Sequence, residues 1–191
     1  DVAIFTNLTR EHLDYHGDME SYANAKARLF DQLGRHSAAV LNIDDPAWAR
    51  MAEAARTAGA RVVTYSTRSR ADLVADRLTT DPSGLRFILS GMGIESTGVR
   101  LPLRGRYNVE NALAATAAAL LMGASPDHAL AGLATSTPAP GRLESIPVPE
   151  GRGFQLFVDY AHSPDALERV LRELRGHLAE REDGGRLLCV F

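Results

Sequence analysis

The sequence contains a single cysteine, Cys189, and a single lysine, Lys26. One cysteine excludes an internal disulfide framework and any metal site built from several thiolates. Positive charge itself is not scarce, since twenty arginines accompany the lysine. A phosphate-binding loop of the form G-x-x-x-x-G-K-[ST] is nevertheless excluded, because Lys26 stands in NAKAR and no second lysine exists. Neither sign of charge dominates. With 24 acidic side chains against 21 basic ones the net charge is −3, which predicts no nucleic-acid partner. Long hydrophobic runs are also missing: the stretch around Ala112–Met122 falls short of the ~20 residues that span a bilayer, so no membrane insertion is expected. No basic segment followed by an apolar one opens the chain, and the expected compartment is a reducing cytoplasm.

What is present, 45% hydrophobic and 24% charged residues over 191 positions, suits one globular domain and part of a second. Asp1–Thr6 reads as a strand without an initiating methionine and Arg186–Phe191 stops in mid-strand, so both ends look cut from a longer protein. The first half alternates strand and helix patterns: Val2–Asn7, helical Met19–Leu33, Ala38–Ile43, helical Pro46–Ala58 and Arg61–Ser66. That alternation predicts a mostly parallel α/β sheet flanked by helices. Between Ala71 and Leu103 the short apolar runs and the turns DPSG and SGMG predict an antiparallel ribbon at the sheet's edge. Helices follow at Asn108–Met122 and Ser125–Ala134, the second with Ser125 as N-cap and Pro126 at its first position. A Pro-rich hinge at Thr137–Gly141 precedes Leu143–Val148, Phe154–Tyr160, helical Pro164–Glu180 and Leu187–Phe191, the start of a second, truncated α/β (Rossmann-like) unit.

Several residues invite chemistry. In Met19–Leu33 the residues Met19, Tyr22, Leu29, Phe30 and Leu33 form a stripe that Lys26 completes. A lysine there must snorkel, find a carboxylate, or surrender its charge and become a nucleophile able to capture carbon dioxide. His12 and His16 stand four apart in EHLDYH, within reach of one metal if helical, although Gly17 favours a loop with capping or packing roles. Asp45 before Pro46 is a good helix cap. Asn108 suits a cap as well, whereas Asn111 inside the first turn is less explained, and its amide could read a base edge. Arg142 follows the hinge, where it either reaches a phosphate across a cleft or stays solvated. Asp159 and His162 follow the carboxyl end of a strand, where open α/β sheets place ligands.

TNLTREHLDYHGDMESYANAKARLF, RYNVENALAA at 106–115, PGRLE at 140–144 and VDYAHSPDAL at 158–167 resemble the signatures of the Mur ligases, particularly the branch that adds a diamino acid. The resemblance runs from residue 6 to 167. It implies a P-loop-like central ATPase domain over 1–139 and the beginning of a C-terminal domain over 140–191. It also implies ATP- and magnesium-dependent amide formation in peptidoglycan precursor synthesis. The carboxylate of UDP-MurNAc-L-Ala-D-Glu is activated as an acyl phosphate and then attacked by meso-diaminopimelate or L-lysine. By motif, Lys26 corresponds to a carbamylated lysine that holds magnesium and His12 to a further magnesium ligand. Asn111 corresponds to the adenine-contacting amide, Arg142 to the catalytic arginine at the terminal phosphates and Asp159 to the ribose ligand. By the same resemblance His162 is expected near the incoming amino acid. A monomer is implied. The family's N-terminal domain, phosphate loop, metal-binding glutamate and most of its C-terminal domain have no counterpart here, so the chain is expected to hold part of an active site and to be inactive alone. The alternatives are a non-catalytic Mur-like binding module, another family member (a D-glutamate or D-Ala-D-Ala adding enzyme, or cyanophycin synthetase) and, more distantly, a zinc hydrolase using His12 and His16.

Overall fold

A computed structural model describes residues 1–9, 17–81, 83–179 and 185–190. Six strands form one sheet in chain order: β1 (Val2–Phe5), β2 (Ala38–Asn42), β3 (Arg61–Ser66), β4 (Leu73–Asp81), β5 (Gly84–Gly91) and β6 (Ile94–Leu101). β1 to β4 are parallel neighbours, with Ile4 beside Val40 and Val40 beside Val63. β4 to β6 are antiparallel. The expected ribbon is therefore present, and Tyr65 and Ser66 of β3 pair with Leu73 and Val74 of β4, so it extends the main sheet.

Alternation along β2 explains the layering. All five of its residues are buried. Ala39 and Leu41 join Ala3 and Phe5 beneath α1 (Met19–Asp31) and α2 (Trp48–Thr57), against Phe30 and Met51. Val40, with Val63 and Tyr65, faces the opposite way, against Val109, Leu113 and Ala117 of α3 (Tyr107–Leu121) and Leu133 of α4 (Pro126–Ala134). A strand covered on both faces reads as a continuous apolar run, and each large side chain so buried contributes about 1.5–3 kcal/mol. Among the described residues no helix is long and apolar enough to cross a membrane.

The helix ends refine the sequence expectations. α1 starts at Met19 because the Asp18 side chain accepts the Ser21 amide at 2.7 Å, with Glu20 in the first turn and Arg28 in the last. Its buried residues are Ala23, Ala27 and Phe30, whereas Leu29 is 51% exposed. The proposed stripe is thus rotated: small alanines bring α1 close to its neighbours, and Lys26 borders the buried face. α2 begins at Trp48, and Ala47 takes the cap position without a side-chain bond. Asp45 does not cap it. One carboxylate oxygen accepts from the Ala47 amide at 2.9 Å and the other from the Leu8 amide at 2.7 Å. Ser125 and Pro126 open α4 as expected.

Beyond Thr135, β7 (Glu144–Ile146) and β8 (Leu156–Val158) form a separate antiparallel pair, followed by α5 (Pro164–Ala179). Both strands are shorter than the runs Leu143–Val148 and Phe154–Tyr160 suggest. The strand expected at Leu187–Phe191 does not pair among the described residues. Leu187 and Cys189 line a cavity along α5 together with Leu167 and Leu171 instead of extending the β7–β8 ladder, and Phe191 falls outside the described residues.

Candidate active site

Candidate residues gather where β1, β2 and β3 end. Asn42, the last residue of β2, is 2% exposed. Its Nδ2 donates to the Thr6 carbonyl at 2.8 Å and to Glu110 Oε2 at 3.4 Å, and its Oδ1 accepts from the Asp44 amide at 3.0 Å. Asp44 accepts from the Ser66 hydroxyl at 2.5 Å, and from the Thr67 amide and hydroxyl at 2.7 and 3.0 Å. The segment Asn42–Pro46, which the sequence explains as a helix cap, is a bracket across three strand ends. Asn42, Asp44 and Glu110 were missed as site residues. The available signal was a run of amide and carboxylate side chains directly after a strand in a parallel sheet.

These strand ends border a cleft of about 860 Å³ whose lining includes Asn7, Asn42, Asp44, Arg68, Glu110 and Arg169. Burial pushes the Glu110 carboxyl above its ordinary value, and Asp44 adds to the effect. Arg68, Arg169 and the Asn42 hydrogen bond oppose it. A second cavity of about 620 Å³ runs along α5 with Leu167, Leu171 and Leu187 in its wall and contains none of the candidate residues.

The start of α3 also borders this cleft, through Arg106, Tyr107 and Glu110. Asn108 lies inside the first helical turn, with its amide donating to the Arg104 carbonyl at 2.6 Å. The exposed Asn111 donates to Asn108 Oδ1 at 3.1 Å. Burial raises the Tyr107 hydroxyl above its ordinary value, Asp159 and Glu173 raise it further, and Arg142 lowers it. The Tyr107 hydroxyl at the head of α3 therefore lies within electrostatic reach of both Asp159 and Arg142.

Asp159 is half-buried and accepts from the Leu143 and Ala161 amides at 2.7 and 2.8 Å. A carboxylate offers about four acceptor sites, which leaves capacity for hydroxyl groups of a ligand. Arg142 is exposed, with its guanidinium carbon 5.7 Å from the centre of the Tyr160 ring, and makes no ion pair among the described residues. His162 packs edge-on against the same ring at 5.0 Å, and its Nδ1 lies 2.9 Å from the Tyr160 carbonyl.

Lys26 does not join this group. It is half-buried on α1, its Nζ lies 5.2 Å from the centre of the Tyr22 ring, and it has no ion pair among the described residues. His12 and His16 lie outside the described residues. Among the described residues no three histidine, cysteine or carboxylate side chains form a group able to hold a metal ion.

Residues 1–119 match the family model described as the Mur ligase middle domain. The chain belongs to the Mur ligase family. Over 187 residues it is 45% identical to the UDP-N-acetylmuramoyl-L-alanyl-D-glutamate–2,6-diaminopimelate ligase of Geobacillus kaustophilus, covering 95% of this chain and 37% of that enzyme. A solved structure of a ligase with the same name superimposes with a TM-score of 0.77 at 37% identity, over 94% of this chain and 36% of the other. MurF from Acinetobacter baumannii gives a TM-score of 0.80 at only 26% identity, over 95% and 38%. The Mur ligase fold is thus shared across branches, and sequence identity is what separates them. The chain spans a little over a third of the length of these relatives.

Proposed function

We propose that this chain is the greater part of the ATP-using domain, over 1–139, and the beginning of the C-terminal domain, over 140–191, of a ligase that joins 2,6-diaminopimelate to UDP-MurNAc-L-Ala-D-Glu. The observation that carries this reading is the 45% identity to the Geobacillus diaminopimelate ligase over almost the whole chain, against 26% to MurF. The reaction forms an amide through an acyl phosphate in the cytoplasmic stage of peptidoglycan precursor synthesis.

The residues present suit an adenine nucleotide. Asn111 offers an exposed amide, able to read a base edge through paired donor and acceptor. Asp159 has spare acceptor sites for ribose hydroxyls, and Arg142, whose guanidinium makes no ion pair among the described residues, suits the charge of the terminal phosphates. Lys26 suits a carbamate, because its amine borders a buried face and is not engaged by a described carboxylate. As a carbamate it would supply oxygen to magnesium, with His12 as the second protein ligand. Magnesium, when bound, supplies positive charge between two anionic reactants. His162, beside Tyr160, is proposed to face the incoming amino acid.

The test uses the whole protein with ATP, magnesium and UDP-MurNAc-L-Ala-D-Glu, and follows ADP release and amide product. Diaminopimelate should support turnover. Preference for L-lysine, for D-Ala-D-Ala on a tripeptide acceptor, or for D-glutamate on UDP-MurNAc-L-Ala would move the protein to another branch. Nucleotide binding without turnover would make it a binding module.

A further inference from the structure

We propose that Asn42 is a positioning residue of the nucleotide site, its side-chain amide locking the end of β1, the loop after β2 and the first turn of α3 into one unit. This rests on the ATP-dependent reading above and adds a residue that the sequence motifs left unassigned.

An asparagine side chain carries two N–H donors and a carbonyl acceptor. Asn42 directs its Nδ2 to the Thr6 carbonyl and to Glu110, and its Oδ1 to the Asp44 amide. Thr6 follows β1, whose paired residues end at Phe5, so its carbonyl lies outside the ladder and needs a partner. Three segments far apart in sequence thus converge on one 2%-exposed side chain. A buried polar group with all its bonds made fixes its neighbours in place, and one left half-satisfied is costly.

Each segment bears on the proposed site. Glu110 lies between Asn108 and Asn111 on the first turns of α3. Thr6 opens the stretch that leads toward His12. Asp44 fixes Ser66 and Thr67 at the end of β3. Asn42 therefore sets the distance between the base-reading end of α3 and the strand end from which the metal-side segment departs. Aspartate would not substitute: it keeps the acceptor for Asp44 but turns a second carboxylate toward Glu110 and an acceptor toward the Thr6 carbonyl.

The experiment measures ADP release by the whole protein, varying ATP and diaminopimelate in turn, for wild type, Asn42→Asp, Glu110→Ala, Glu110→Gln and Asn42→Asp/Glu110→Gln. Asn42→Asp should raise KM for ATP about tenfold, equivalent to about 1.4 kcal/mol, and leave KM for diaminopimelate within about twofold. Glu110→Gln in that background should recover at least about threefold, because the glutamine amide can donate to the new carboxylate. An unshifted KM for ATP overturns the proposal. So does a parallel loss in kcat and both KM values with a lowered Tm, or a double variant whose defect is the product of the two single ones. Should Asn42→Asp fail to fold, Glu110→Ala decides: it removes the acceptor at the cleft and should raise KM for ATP alone by about threefold, and an unchanged value overturns the role. A wild-type protein that releases no ADP with any amino acid overturns the functional reading and this role with it. Wild-type turnover with an unshifted variant overturns the role alone.

Discussion

The Asp159 carboxylate accepts the backbone amide of Leu143 at 2.7 Å, tying the residue after Arg142 to the end of β8. Leu143 has φ 46°, a left-handed conformation unfavourable for leucine, and is only 2% exposed. The other carboxylate oxygen of Asp159 holds the Ala161 amide at 2.8 Å, so Asp159 ties the segment that presents Arg142 to the turn after β8. Asp159→Asn would turn an N–H₂ group toward one of these two donors. The expected outcome is faster amide exchange over residues 141–146, together with at least about tenfold weaker adenine-nucleotide binding from the loss of a charge-assisted acceptor. Hydrogen exchange and a nucleotide titration check the two effects separately.

A second prediction concerns the region after the hinge. Phe154, Leu156 and Val158 are 54%, 45% and 46% exposed, and a two-stranded sheet with exposed apolar residues is marginal by itself. In the 191-residue chain, amides of residues 142–179 should exchange much faster than those of β2 and β3, which are covered on both faces. Equal protection in the two regions would refute the division near residue 139.

Much of this was legible because apolar patterning is a direct consequence of burial. Ala38–Leu41 reads as an unbroken apolar run because both faces of β2 are covered, and the turns at 81–84 and 90–93 announce the antiparallel strands. The rotation of α1 was hidden, because Ala23 and Ala27 make its contacts and weigh little in a pattern built from large side chains. Asp45 was misread because its local capping geometry is plausible, whereas its bond to the Leu8 amide spans two strands. Asn42 and Glu110 gave no periodic signal at all. Their meeting depends on how α3 crosses the sheet, a tertiary relation that spacing along the chain does not encode.

Glu110 also gives a pH prediction. Its carboxyl is raised above 4.5 chiefly by burial, so the folded chain holds that proton more tightly than the unfolded chain. The stabilising contribution of protonated Glu110 is fully present below 4.5 and is lost as the pH rises through the folded value. At pH 7 the half-buried carboxylate is therefore a net cost, even with Arg68 and Arg169 opposing the shift. Glu110→Gln should raise Tm at pH 7, with a gain that shrinks as the pH falls toward 4.5. Thermal melts of both proteins across that range check it, and a gain independent of pH would contradict it.

The 191-residue chain by itself should not hydrolyse ATP. Its sequence holds no G-x-x-x-x-G-K-[ST] loop to cradle the phosphates, and its one lysine lies on α1. Binding of adenine nucleotide through Asn111, Arg142 and Asp159 does not need that loop and should persist weakly. Magnesium-dependent phosphate release above background by the pure chain would contradict the first statement.

Lys26 supports the sharpest test of the proposed chemistry. Its position next to Ala27, at the edge of the buried face of α1, holds the amine in a half-buried place near the Tyr22 ring. Only an amine that loses its proton can add carbon dioxide, and the resulting carbamate is an anionic oxygen ligand of the kind magnesium prefers. Arginine matches lysine in charge and approximate length yet cannot become that anion. Lys26→Arg in the whole protein should therefore lower kcat by at least about a hundredfold, as expected when a group that stabilises the transition state is lost. Its Tm should stay close to wild type, because no described ion pair is broken and the snorkelling stem is retained. Lys26→Ala should be equally slow, and a small carboxylate added in solution should restore part of its activity by occupying the vacated oxygen position. Rescue of Lys26→Ala but not of Lys26→Arg, whose side chain fills the space, would separate a missing ligand from a damaged fold. Near-wild-type turnover by Lys26→Arg would remove the carbamate from the mechanism.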